Sequence, residues 1–186
     1  GLAFLVDPRE DTVHINLPEA IKINPDDNTS GDLTDEQFIE IQIANVISPG
    51  FEFLLLDRPD IFWVENPPTF TYDKVTGFDD ATGKEIYMIK DIYLSFTIGE
   101  SFNNDINFAR SCKEELNRAL YSFPVEGETR YEKLKSIHDQ LIMTTTYEST
   151  EGYIDYNAYG ALVNHRAACQ GYSQAFKLLC NREGIP

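Results

Sequence analysis

Residues 169–183 constrain this chain more than any other stretch. They contain no proline, and Gly184 followed by Pro186 is a stop signal, so the pattern predicts one helix that begins on a cysteine. Tyr172, Ala175, Phe176 and Leu179 recur at three- and four-residue steps and predict one buried stripe along it. Cys169 then occupies the first turn. There the unpaired backbone amides and the positive end of the helix dipole favour a thiolate over a thiol. Gly171 carries no side chain, which predicts room for a substrate backbone close to the sulfur. Free cysteines are often just small buried hydrophobes. The position at a helix start separates Cys169 from that class and makes it the candidate nucleophile.

The rest of the chain reads as α+β. Thr12 to Leu17 alternates enough for a strand, and residues 24–33 are rich in Asn, Asp, Gly, Ser and Thr and read as a loop. Thr34 and Gln37 form a capping box, predicting a helix over 35–47 with Phe38, Ile41, Ala44 and Ile47 on one face. Ser48-Pro49 predicts the start of a second short helix reaching about residue 57. Phe62-Trp63-Val64 begins a strand expected to resume at 69–72, beyond Pro67-Pro68, and residues 73–84 read as a turn region. The clearest strand is 86–98. Ile86, Met88, Ile92, Leu94, Phe96 and Ile98 share one side, Lys90 is the exception among them, and Tyr87, Asp91, Tyr93, Ser95 and Thr97 take the other. Residues 62–72 and 86–98 are expected to pair as an antiparallel hairpin, with Trp63, Tyr72, Tyr87 and Tyr93 packed in the core or in cross-strand pairs rather than lining a binding face.

Further helices are expected over 103–122, with Ile106, Ala109, Leu116 and Leu120 inward, and over 130–146, capped by Thr129 with Leu134, Ile137, Leu141 and Ile142 buried. Residues 147–157 read as a loop. The expected organisation is a small antiparallel-sheet α/β region over 1–100 and a mostly helical part over 101–186.

Composition narrows the function classes. With 31 acidic and 15 basic residues the net charge is -16, which repels nucleic acid and anionic membranes. No run of eighteen apolar residues is present, so no membrane span is expected. Gly1 reads as a cloning remnant, with any native leader removed. Three cysteines cannot all pair, and Cys169 and Cys180, eleven residues apart on one helix, stand about 16 Å apart against a disulfide limit of about 7 Å. Cys112 falls in another helix. No Gly-rich phosphate loop or metal-ligand spacing appears, so no cofactor and no metal is expected. Residues 26–32 match an EF-hand loop in composition only, since Gln37 stands where the bidentate glutamate belongs. Among the histidines, His165 precedes Cys169 by four residues and reads as a polar loop or helix-end residue. His138 reads as a hydrogen-bonded helix-packing residue, and His14 lies in a strand with no motif around it.

Cys169-Gln-Gly-Tyr-Ser-Gln-Ala-Phe-Lys-Leu-Leu179, closed by Gly184-Ile-Pro186, resembles the nucleophile helix of the transglutaminase-like superfamily, its bacterial branch above all. Ala158-Tyr-Gly-Ala-Leu-Val163 is similar to the short helix before that cysteine. Tyr131-Glu-Lys-Leu-Lys-Ser-Ile-His-Asp139 with Thr145-Thr-Tyr147 resembles the preceding helix and its turn, with Thr144 or Thr145 where an asparagine is common. Leu56-Asp-Arg-Pro-Asp-Ile-Phe-Trp63 is similar to an H-P-x-x-F-W segment of some bacterial members, with Arg58 in place of the histidine.

The resemblance covers about the last sixty residues. It implies the helical front half of a papain-like core, a Cys169 thiolate attacking amide or acyl carbonyls of a protein or peptide substrate, and an extracellular or cell-surface location. In that family the base histidine and its aspartate lie on sheet strands after the nucleophile helix, so Cys169 alone carries over and little or no activity is expected from these 186 residues. The alternative is a non-catalytic surface binding or structural module. Without the core sheet, the stripe on 169–183 is expected to be covered by the N-terminal sheet, by self-association or by a second chain.

Overall fold

A computed structural model describes residues 8, 12–29, 31–148 and 152–186; Gly1, Ser30 and residues 149–151 of the expected loops lie outside that range. The architecture is α+β, and the described residues cluster into two compact units. One comprises residues 12–54 and 67–96, the other residues 55–66 and 97–186, so the expected N-terminal region contributes residues 55–66 and 97–100 to the second unit.

The first unit is built on a three-stranded antiparallel sheet. Strands β1 (Thr12–Ile23) and β2 (Thr69–Phe78) flank the central β3 (Glu85–Ser95). The hairpin expected between 62–72 and 86–98 is present, but its first strand begins only at Thr69, and residues 73–78 continue β2 rather than turning. The turn is confined to residues 79–84. There the Asp79 carboxylate accepts from the backbone N–H of Thr82 at 2.8 Å and of Ala81 at 3.1 Å.

Lys90 is the extra residue of a bulge. Asp73 pairs with Asp91 while the next residue, Lys74, pairs with Ile89, and β1 shifts register at the same place. The bulge breaks the two-residue period, so Ile89, at 0% exposure, is buried where Met88 was expected. Two of the four aromatics find cross-strand partners: Tyr93 stacks on His14 with centroids 4.7 Å apart, and Lys74 sits 4.7 Å over the Tyr87 ring, whereas Tyr72 meets Phe70 of its own strand and Trp63 lies outside the strands.

Helix α1 (Asp35–Asp57) begins at the expected capping box. Thr34 Oγ1 accepts from Gln37 N–H at 3.2 Å, and Gln37 Oε1 accepts from Thr34 N–H at 2.9 Å. It then runs through Pro49 as one helix, where two were expected. A proline inside a helix removes one backbone hydrogen bond without forbidding continuation. Ile39, Ile43 and Phe51 hold α1 inward on both sides of the proline, and Phe51 lies 6.2 Å from Phe96. By length and composition α1 is long and apolar enough to cross a membrane, with a window of mean hydropathy 1.3. Glu40 and Glu52 lie six residues to either side of its midpoint, and the eleven residues between them carry no charge.

The second unit is mostly helical: α2 (Ile106–Ser122), α3 (Arg130–Thr144), α4 (Ala158–Leu162) and α5 (Cys169–Arg182), with two-residue strands β4 (Thr146–Tyr147) and β5 (Arg166–Ala167) paired in parallel. Phe62-Trp63-Val64 is not a strand. Residues 61–64 are all at 2% exposure or less, and among the described residues no strand pairs with them. They form a plug instead. Gly99 N–H donates to Trp63 O, the Tyr153 hydroxyl donates to Val64 O, and Phe62 stacks on Tyr159. Along α2, Cys112 and Lys113 are buried beside Ala109 and Leu116.

The α3 capping box is complete, with Thr129 Oγ1 accepting from Glu132 N–H at 3.2 Å. Thr129→Ala therefore lowers stability by about 1 kcal/mol, read from chemical denaturation, while Tyr131→Ala, at an exposed site, leaves it within about 0.5 kcal/mol.

Candidate functional site

Cys169 is the first residue of α5 and is exposed, whereas Cys112 and Cys180 are buried and their thiols are pushed up by that burial. The helix is capped by Ala168, which has no side-chain acceptor to offer. The first-turn amides of Cys169 and Gln170 are thus left for whatever approaches the sulfur. One turn on, Ser173 Oγ donates to the Cys169 carbonyl at 3.0 Å.

The segment before Cys169 is held by its own backbone. Asn157 caps α4, its Oδ1 accepting from Tyr159 N–H at 3.0 Å and Gly160 N–H at 3.3 Å. Asp155, at 1% exposure in the 3₁₀ turn Tyr153–Tyr156, accepts from Ala168 N–H through its carbonyl at 2.8 Å. Its carboxylate accepts from Arg166 Nε at 3.0 Å, and Arg166 reaches Glu148 at 3.8 Å. In the same turn, Tyr153 is pushed up to about 12 by burial and by the Glu65 charge.

Gly171 plays a different part from the one expected. It is buried, and a Cβ there would stand 2.6 Å from Asp155 O and 3.0 Å from Asn157 O. The missing side chain lets α5 seat against the protein's own carbonyls, so no space for a substrate opens at that residue.

The stripe on α5 is only partly as expected. Ala175 and Leu179 are buried and Tyr172 and Phe176 half-buried, while Gly171, Gln174 and Leu178 join the buried side. Tyr172 and Phe176 form one wall of a groove of about 430 Å³, together with Ser173, and His138, Leu141 and Ile142 of α3 form the other. Ile142, expected in the core, is 58% exposed there.

Helices α3 and α5 run antiparallel. The Tyr172 hydroxyl donates to Thr145 O at one end, and Lys133 bonds Glu183 at 2.9 Å at the other. That register sets His138 level with residues 176–179, seven to ten residues along α5 from Cys169, which is about 10–15 Å along the axis at 1.5 Å per residue. His138 is not the packing residue expected. Its side chain is 63% exposed and its Nδ1 lies 3.0 Å from Asp139 Oδ1. His165, with φ of 54°, is exposed and lines a separate hollow with Ser122, Phe123 and Thr144. His14 bonds Asp91 at 2.6 Å in the other compact unit. Among the described residues none of the three hydrogen-bonds the Cys169 sulfur, and none of the clusters of His, Cys, Asp and Glu is able to hold a metal ion.

Asp155 and Arg166 were missed by sequence reasoning because they lie eleven positions apart across a turn and a short helix. Asn157 had a local signal, a helix-capping residue directly before Ala-Tyr-Gly. Comparison with known protein families and with curated proteins finds no match to this chain.

Proposed function

We propose that Cys169 is the nucleophile of a transglutaminase-like cysteine acyltransferase or peptidase, attacking amide carbonyls of a protein or peptide substrate. The observation that carries this reading is an exposed cysteine as the first residue of a 14-residue helix whose cap brings no side-chain acceptor. Thiolate attack forms a C–S bond to the acyl carbon and releases the amine, which needs a proton. First-turn amides are suited to both the thiolate and the developing oxyanion. No described histidine is hydrogen-bonded to the sulfur, so on this reading the proton carrier comes from outside the described residues. By themselves the 186 residues turn over no amide faster than their Cys169→Ser variant; a clear excess overturns that expectation. An extracellular or cell-surface setting belongs to the same reading.

The test is iodoacetamide labelling at pH 7, resolved by mass spectrometry, with an unstructured cysteine peptide as reference. Cys169 labels several-fold faster than the peptide, and Cys112 and Cys180 label slowest. A Cys169 rate at or below that of the peptide removes the nucleophile reading.

A second reading is favoured by one observation, the apolar groove flanked by exposed Ile142 and Met143. In it the second unit is a non-catalytic binding or structural module that takes an apolar segment of a second chain or of another copy.

A further inference from the structure

The turn that seats Cys169 is fixed by a charge, and that is an expensive choice. A carboxylate at 1% exposure costs several kcal/mol to desolvate, and an ion pair in its place is often no more stabilising than apolar side chains of the same volume. Such a pair does fix direction and register, which apolar packing leaves looser. Here it is placed where direction matters. Asp155 grips the chain leading to the sulfur at two points: its carbonyl takes the N–H of Ala168, the residue before Cys169, and its carboxylate takes Nε of Arg166, two residues earlier. A third contact comes from the other side of the sulfur, where Gly171 packs against the same Asp155 carbonyl.

We infer that Asp155 is the positioning residue for Cys169, acting through Arg166 and Ala168 to set where the α5 first-turn amides and the sulfur stand. The inference rests on the nucleophile reading above. Asp155 does not touch the reacting atoms. Its role is to hold the helix start in the one placement in which those amides serve the sulfur.

Labelling of Cys169 by iodoacetamide from pH 6 to 9 tests this in Asp155→Ala, Asp155→Asn and Arg166→Met, with the melting temperature read in parallel. A carboxylate near a thiol disfavours the thiolate, so deleting that charge alone would speed labelling near neutral pH. Positioning predicts the opposite sign: labelling at pH 7 slows about three- to tenfold and the rate–pH curve moves to higher pH. Arg166→Met and Asp155→Ala slow it alike, and the double variant no further, because the two act as one unit. Should Asp155→Ala not fold, Asp155→Asn keeps an acceptor for Arg166 and gives the same sign with a smaller change. Unchanged or faster labelling in folded variants with a lowered melting temperature overturns positioning and leaves a structural ion pair. If wild-type Cys169 labels no faster than a free cysteine peptide, the nucleophile reading fails first, and that outcome is seen before any variant is made.

Discussion

Gly171→Ala costs about 2–3 kcal/mol of stability and slows Cys169 labelling in the fraction that folds. The added Cβ would stand 2.6 Å from Asp155 O, 2.9 Å from Ala167 Cβ and 3.0 Å from Asn157 O. Two of those three atoms are backbone carbonyls fixed by the 3₁₀ turn, so the helix start has to move, and forcing extra volume into a filled site typically costs about 1–3 kcal/mol. The same shift lifts the first-turn amides away from the sulfur's surroundings. Gly50→Ala is the matched control. Gly50 lies inside α1 with no atom within 4 Å of the new Cβ, so alanine there raises stability by about 0.5–1 kcal/mol through helix propensity. Urea denaturation of the two variants checks both signs. A Gly171→Ala protein as stable as wild type sinks the close-packing account.

Asp60→Ala is the second large effect, about 3 kcal/mol. Asp60 accepts from Arg58 Nε and Nη2 at 2.8 and 2.7 Å and stands 3.6 Å from Lys113 Nζ, and the Lys113 side chain is only 10% exposed. Removing the carboxylate takes one counter-charge from a buried ammonium, and a broken buried pair costs about 3–5 kcal/mol; the value is taken at the low end because Lys113 Nζ keeps its bond to the Asp60 carbonyl.

The pH dependence has a definite sign. Burial alone would push the Asp60 carboxyl up, yet the Arg58 hydrogen bond and the Lys113 and Arg58 charges hold it below the ordinary carboxylate range. A group with a depressed folded value contributes its stability in full above its unfolded value, about 3.9, and loses it as the pH falls through the folded one. Wild type therefore loses stability on acidification through pH 4 and below more steeply than Asp60→Ala. Denaturation midpoints at pH 7 and pH 3 check it, and a gap between the two proteins that does not narrow at pH 3 contradicts the assignment.

Helices were legible where local chemistry decided them. The capping boxes at Thr34 and Thr129 mark the starts of α1 and α3, and Gly184 and Pro186 mark the end of α5. The capping signal at Ser48-Pro49 misled, because the anchoring of Ile43 and Phe51 on either side of the proline outweighed one missing hydrogen bond. The β3 pattern was legible except at Lys90, and the reason is not local. A bulge exists only in the pairing with β1 and β2, so the side that Met88 and Ile89 take is decided by the partner strands.

The site divides the same way. That Cys169 stands at the start of a helix follows from the sequence alone, because the proline-free periodic run and its stop signal all lie within residues 169–186. What seats it does not: Asp155, Arg166 and the carbonyl of Asn157 converge on that helix start through side-chain charge and backbone contacts. Nor could sequence show that Gly171 faces the protein's own backbone, or that His138 stands about two to three turns from the sulfur. Those follow from the antiparallel register of α3 and α5, which the Tyr172–Thr145 and Lys133–Glu183 bonds fix across gaps of 27 and 50 residues. Periodicity names the face of a helix that is buried; only the packed neighbour decides which atoms that face meets.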